Sequence, residues 1–542
     1  MKSIVDIVRE FYGERSGNIV IPFALTFGFV MLVIGAGLDY SRAHNTKVVL
    51  QAAVDATALA ANYDSEGLAE AKVKANAIDY FNAIYKGDPD AVKLDVTVEK
   101  GTVTVSATQA VQTLFGGVLN VDKVDVGVRS QTVIGKATFD VVMVLDNSGS
   151  MGGSKLKTLK DASKDLAETL FAINEKGDKK DRVKIGLVPF TSFVNVGKDK
   201  ANAAWMDTQG RSPIHWTNFQ TRPDGTPDPA EFDNGDLAGG KPSRFTLFKQ
   251  LKRTDWLGCV EARPMPYDVT DAVPTNSDPA TLFVPEFAPD EPDSKNRRYG
   301  DSYYNNYLND DKGACSDKVK NVYQSSGMDR WEYAQKRLCK YRNQPKNYGN
   351  NWNKGPNYWC KTQPITDLTE NKSKVVAAIK NMVADGHTNI HQGAVWGWRV
   401  LSPRIPFTEG REPEEDSDDE HVRILIVMTD GANTYQGQNS FNKTRINAYG
   451  YGAEERLGRG VDSSWEIERK MDDRTALTCE NAKNDGVRVY TVAFQINDRN
   501  TVDMMRNCAT NANMAFDARS NGDLIDAFKR IADEISKLRL NK

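Results

Sequence analysis

No cysteine precedes residue 259, and the six that follow contain no C-x-x-C pair. That spacing sets zinc ribbons aside and suits disulfides in an oxidising compartment. Neither sign of charge is in excess: 70 Lys and Arg stand against 73 Asp and Glu, a net charge of −3. The chain therefore has no global attraction for nucleic acid. Internal repeats are absent, and the composition excludes both a collagen-like fibre and wholesale disorder. A mean hydropathy of −0.53 excludes a polytopic membrane protein. With 40% hydrophobic residues over 542 positions, what remains is a globular chain of several units.

One long apolar run is present. Ser16 to Leu38 carries no charge, and Ile19 to Leu38 is long enough for about 30 Å of helix. Pro22 lies in its first turns, where a missing N–H matters least. Lys2, Arg9 and Arg15 precede the run and favour a cytoplasmic N-terminus, against the smaller pull of Arg42 and Lys47. A cleaved signal peptide is the competing reading, but it asks for a shorter apolar core and a small-residue cleavage site. Either way the bulk of the chain is exported.

After the run, an Ala-rich helical stretch reaches Asn62, and a second helical pattern covers Leu68 to Tyr85. Alternating strands follow at Leu94, Val103 and Val124 to Ile134, with a hairpin turn expected at Glu99 to Gly101. From Thr138 the pattern changes to near-continuous apolar strands alternating with helices. The strands are FDVVMVLD ending at Asp146, VKIGLVPF at Val183–Phe190, VRILIVMTD ending at Asp430, and VRVYTVAF at Val487–Phe494. Such runs are strands buried on both faces, which predicts an α/β fold with a doubly wound, mostly parallel sheet.

Two stretches interrupt it. Residues 198–365 lack regular periodicity: 12 of the 21 prolines lie between Pro213 and Pro292, and nine of the 19 tyrosines lie in 299–360. A structureless loop of that length is improbable in a compact domain, so an inserted subdomain stapled by its four cysteines is expected. The aromatic half could form its core or a recognition surface. The second stretch, 403–421, contains the acidic run EGREPEEDSDDE, read as a solvated loop. The expected units are thus a cytoplasmic N-terminus (1–15), a membrane helix with its extension (16–62), a small α+β domain (63–136) and the α/β domain (137–538). Of 15 possible cysteine connectivities, the one favoured pairs Cys479 with Cys508 across one strand and Cys259 with Cys360 around the insertion. That leaves Cys315 with Cys339; buried free thiols are the alternative.

The chemistry-bearing residues sit where strands end. The first α/β strand ends in Asp146-Asn-Ser148-Gly-Ser150, and a later one in Asp430-Gly. Gly386-His-Thr388 lies in the sequence between them. Ligands of open α/β sheets bind outside the carboxyl ends of the strands, so the three segments are expected to converge. Two carboxylates and three hydroxyls are hard oxygen donors, suited to Mg²⁺ or Mn²⁺. The plainer alternative for the serines is a helix N-cap by Ser150 or Ser154. His387 and His391 lack the Glu of H-E-x-x-H, and Ser148 lacks G-x-S-x-G, so neither a zinc protease nor a serine hydrolase is expected.

Asp146, Ser148, Ser150, Thr388 and Asp430 together resemble the metal-ion-dependent adhesion site of the von Willebrand factor A family, D-x-S-x-S followed by a Thr and a T-D-G turn. The resemblance implies a divalent-metal site (Mg²⁺ first, Mn²⁺ or Ca²⁺ as alternatives) that binds a partner's carboxylate rather than a catalytic centre. The long insertion between Phe190 and Thr388 departs from the minimal domain and leaves the face near the metal open. The stretch from Arg15 to Asn62 resembles TadE/TadG-type proteins of Flp (tight adherence) pilus assembly. It carries Arg15 and Gly17 before the span, Asp39 at its end, and Leu50-Gln-x-Ala-x-Asp55-Ala-x-Ala-Leu-Ala beyond. This resemblance implies a single-pass inner-membrane protein with its bulk in the periplasm, working with other pilus-assembly components. A structural envelope scaffold whose metal site is not used is the alternative.

Overall fold

The computed structural model describes residues 20–63, 69–99, 102–133, 137–176, 182–237, 240–251, 254–293, 303–343, 353–412 and 420–538. They fall into two compact units, one made mainly of residues up to 135 and one of residues 136–175 and 179–537.

The first unit opens with a 44-residue helix, Val20–Tyr63. Its first half is apolar all round and exposes Phe23, Leu25 and Phe29. The second half narrows to a buried stripe of Leu50, Ala53, Val54, Ala58 and Ala61, the i, i+3, i+4 spacing of a helix packed on one side only. The second helix, Glu70–Ile84, buries Val73, Ala77 and Phe81. Both pack on an antiparallel meander of β1 (Val92–Glu99), β2 (Thr102–Gln112) and β3 (Lys123–Val133). Alternate residues of β2, Val103, Val105 and Ala107, face that core. The expected turn at Lys100–Gly101 and Ile134 lie outside the described residues.

The second unit is built on an eight-stranded mixed sheet. In spatial order β11 (Ala515–Ala518), β10 (Arg488–Phe494), β9 (His421–Thr429), β4 (Thr138–Asp146) and β5 (Val183–Phe190) run parallel. The edge beyond β5 is antiparallel: β6 (Val194–Asn195), β7 (Cys259–Val260), and β8 (Thr366–Thr369), which also pairs with β5. β4 is buried from Phe139 to Asp146, as its unbroken apolar run predicts. Its one internal charge, Asp140, is neutralised by Arg411, with His421 at 3.5 Å.

Helix Ile390–Leu401 is buried at every residue. It reaches the sheet because Gly393 and Gly397 present no side chain to it. A Cβ on Gly393 would lie 2.5 Å from Phe190, and one on Gly397 2.6 Å from Leu425. This close approach fixes the loop just before the helix, which carries Thr388.

Among the described residues of the stretch 198–365, the large aromatics share a core with the sheet. Trp205, Trp216, Phe219, Phe248, Phe283, Phe287 and Tyr341 belong to the same hydrophobic cluster as Val142, Val188 and Val427 of the sheet. The reason is lateral growth: β7 comes from this stretch and extends the sheet edge, so its aromatics cover a surface the sheet already offers. Long side chains of both signs are buried with them. Arg244 donates to Glu261 and to the carbonyls of Ile214, His215 and Pro285, which engages four of its five guanidinium N–H groups. The disulfides join Cys259 to Cys360, Cys315 to Cys339 and Cys479 to Cys508. Residues 413–419 of the acidic loop lie outside the described residues.

Candidate metal centre

β4 ends at Asp146 and the chain turns at once. The Asn147 N–H donates to the carbonyl of Phe190 at the end of β5 (2.8 Å), which holds the turn against the sheet. A short 3₁₀ turn, Gly149–Met151, and Gly153 at φ +77° then lead into helix Ser154–Lys176. Small residues allow so tight a course. The turn is also tied to the Thr388 segment. Gly149 N–H donates to the Gly386 carbonyl (3.0 Å), and Asp385 N–H to the Asn147 carbonyl (2.8 Å). The carbonyl of Thr388 accepts from Thr434 N–H (2.9 Å), beyond β9. The three loops therefore form one rim at the carboxyl ends of β4 and β9.

The side chains follow. Asp146 accepts from the Ser148 N–H on one oxygen and from the Thr429 hydroxyl on the other, both at 2.7 Å. The Ser148 and Ser150 hydroxyls lie 3.0 Å apart, and Ser150 donates to Asp430 at 2.5 Å. The second oxygen of Asp430 pairs with Lys155 at 2.7 Å. Thr388 sits across from Gly431, whose Cβ position is 4.0 Å from the Thr388 hydroxyl. Asp146, Ser148, Thr388 and Asp430 are buried and Ser150 is exposed, so the cluster opens to solvent at Ser150.

Burial, and then the charge of Asp430, push the Asp146 carboxyl up to about 6. The ammonium of Lys155 pairs with Asp430 and lies 5.6 Å from the centre of the Phe494 ring, so among the described residues the two carboxylates have this one positive charge beside them. The hydroxyls add neutral oxygen donors, and this donor set fits a hard divalent ion.

Lys155 and Thr429 were missed in the sequence. Thr429 had a signal, since it immediately precedes Asp430 at the end of the strand. Lys155 lies in the first turn after the serine loop, but its partner is 275 residues away. The histidines do not converge on an ion. His387 meets Gln436 (2.9 Å), while His391 is buried against the Tyr449 hydroxyl. The Ser148 hydroxyl faces a second serine, not an imidazole. Cys259, Glu286 and Cys360 also approach one another. Both sulfurs there are committed to a disulfide, which leaves no thiolate for a metal.

Among known proteins, the family match falls on the long first helix. Residues 17–71 match the family described as putative Flp pilus-assembly TadE/G-like. The match ends at the start of the second helix and does not reach the sheet of the second unit. No curated protein matches the chain at a significant level. Solved structures with a similar course include the pilus adhesin SpaC from Lactobacillus rhamnosus GG, at 11% identity and a TM-score of 0.32. That alignment covers 83% of this chain and 36% of SpaC, so the chain spans about a third of that protein's length. The vWF domain of the type V pili tip protein Mfa5 from Porphyromonas gingivalis aligns at 10% identity and 0.32, over 75% of this chain and 97% of its own. The pilus adhesin RrgA from Streptococcus pneumoniae aligns at 10% and 0.33, over 82% and 49%. These superpositions are loose, and the site is read from its own geometry.

Proposed function

We propose that the chain is a single-pass inner-membrane protein of Flp pilus assembly or anchoring. Its second unit, a doubly wound von Willebrand A-type domain in the periplasm, binds a protein partner through a divalent cation. The observation that carries this reading is the convergence of Asp146, Ser148, Ser150 and Asp430, with Thr388 on the same rim, at the ends of two adjacent parallel strands. The family match over the anchor helix supports the pilus setting. Three disulfides beyond the span suit the periplasm, and the uncharged run with basic residues before it suits a cytoplasmic N-terminus.

Ser148, Ser150 and Thr388 would hold the ion with Asp146 and Asp430, and the ion would supply an electrophilic acceptor for a partner's Asp or Glu. The protein's own part is to pre-set the oxygens. Thr429 and the Ser148 N–H fix Asp146, and Ser150 and Lys155 fix Asp430. The role is adhesion rather than catalysis.

Complementation of a strain lacking the chain tests this. Wild type restores pili, and Asp430→Ala, made at the same level, does not. Full restoration by Asp430→Ala would overturn the metal-dependent reading. One observation favours a second reading, an envelope scaffold: Lys155 already neutralises Asp430 without an ion. On that reading, a chain ending near residue 136 restores pili by itself.

A further inference from the structure

The loop between β2 and β3, residues 113–122, exposes apolar side chains. Leu114 is 65% exposed, Phe115 37%, Val118 75% and Val121 46%. A water-facing hairpin loop would carry polar residues here. The loop is also closed on itself, so these side chains have no core to turn into. Thr113 N–H donates to the Asp122 carbonyl (3.0 Å), Val121 N–H to the Gly116 carbonyl (3.0 Å), and the Thr113 hydroxyl to the Val121 carbonyl (2.6 Å).

Its position along helix Val20–Tyr63 is fixed by Asp39, the first charged residue after the apolar run. The Asp39 carboxylate accepts three backbone N–H groups of the loop: Leu114 at 2.7 Å, and Phe115 and Gly116 at 2.9 Å each. Phe115 reaches further. A Cβ on Gly35 would lie 2.5 Å from the Phe115 ring, so the ring rests on helix backbone about 6 Å inside the run. On the opposite side of Asp39, Arg42 donates to the Gln112 carbonyl (3.2 Å). Polar ties therefore lie beyond the end of the run and the Phe115 ring before it, level with the exposed Ile34 and Leu38.

We propose that this loop is a second membrane contact: Leu114, Phe115, Val118 and Val121 enter the acyl–headgroup boundary of the leaflet from which the first helix emerges. This rests on the reading of that helix as a membrane span. The occupant is lipid because the apolar face of the loop continues the lipid-facing surface of the helix at one depth. The loop can enter such a layer because the N–H groups of Leu114, Phe115 and Gly116 are taken by Asp39 and those of Val118, Asn120 and Val121 by loop carbonyls. Two attachment points stop the first unit from swivelling about a single helix.

The test places the photo-crosslinking residue p-benzoylphenylalanine singly at Val118, at Leu25 in the span, and at Thr97 on β1. The full chain is reconstituted in vesicles of phosphatidylethanolamine and phosphatidylglycerol, irradiated, and read by mass spectrometry. Lipid adducts at Leu25 and Val118, with none at Thr97, are expected. Adducts at Leu25 but none at Val118 would overturn the loop contact and leave the span standing. Protein adducts in place of lipid at Val118 would replace the occupant and overturn it too. Equal lipid yields at all three positions would mean indiscriminate collision, which also overturns it. No adduct at Leu25 would remove the span itself, and the loop contact with it.

Discussion

Replacing Asp146 with Asn should stabilise the protein when metal is chelated, although it removes a candidate ligand. Asp146 is fully buried, and its carboxyl is pushed from 3.8 up to about 6 by burial and by Asp430. A carboxyl raised in the folded state costs nothing below the unfolded value. The cost grows as pH climbs from about 4 to about 6 and is constant above. Roughly two units at 1.36 kcal/mol each put that cost at about 3 kcal/mol at pH 8. Asn keeps the acceptor for the Ser148 N–H. The Thr429 hydroxyl, already 2.9 Å from the Gly431 carbonyl, can turn its proton there and accept from the new amide. The rise to about 6 already sets the bonds to Ser148 and Thr429 against burial, so the net gain at pH 8 is about 3 kcal/mol. Urea unfolding of the full chain in detergent with chelator reads this directly. All nine tryptophans lie between Trp205 and Trp465, so their fluorescence reports the second unit alone. The gain should vanish at pH 4. A variant less stable than wild type at pH 8 would refute the reasoning. If it holds, stability has been given up at this position for binding.

Lys155→Met removes the ammonium that shares Asp430 and should tighten divalent-cation binding about fivefold, the size of a partly exposed ion pair. Unchanged or weaker binding by calorimetry would contradict its role as a competing charge. Gly397→Ala drives a methyl into Leu425 and Val144 and should lose about 1–3 kcal/mol in urea unfolding, despite the better helix propensity of Ala. No loss would mean the helix can move away from the sheet. Replacing Cys479 and Cys508 together with Ser opens a 29-residue link and should lose about 3–4 kcal/mol by the same assay. A loss under 1 kcal/mol would show that this pair adds little.

The sheet was legible where burial on both faces leaves an unbroken apolar run, as in β4, β5, β9 and β10. Their ends also marked the candidate site, because a carboxylate closing such a run stands at the mouth of the sheet. Helix Ser464–Asn484 shows a helical pattern in the sequence only from about Thr475 onward. Its first half reads SWEIERKMDDR and buries just Ile467 and Met471, too sparse a stripe to show as periodicity. The signal was there in another form, the capping box of Ser463 with Glu466. Helix Arg499–Cys508 carries both signals, a cap by Asp498 on Thr501 and a buried stripe of Thr501, Met504, Met505 and Cys508 at helical spacing. Residues 198–365 were illegible because their order comes from distant polar pairings. Arg244 alone joins positions 214, 215, 261 and 285, and no local pattern encodes that. Lys155 stayed hidden likewise: a lysine on an amphipathic helix reads as solvated until its partner in space is known.

Calorimetric titration of Mg²⁺ and Mn²⁺ into the full chain in detergent tests the central claim most directly, with a Ser148→Ala, Ser150→Ala double variant beside it. Saturable binding to the wild type, lost in the folded double variant, is the predicted result. A folded wild type that takes up neither ion, or a double variant that binds as well as the wild type, would contradict the metal centre.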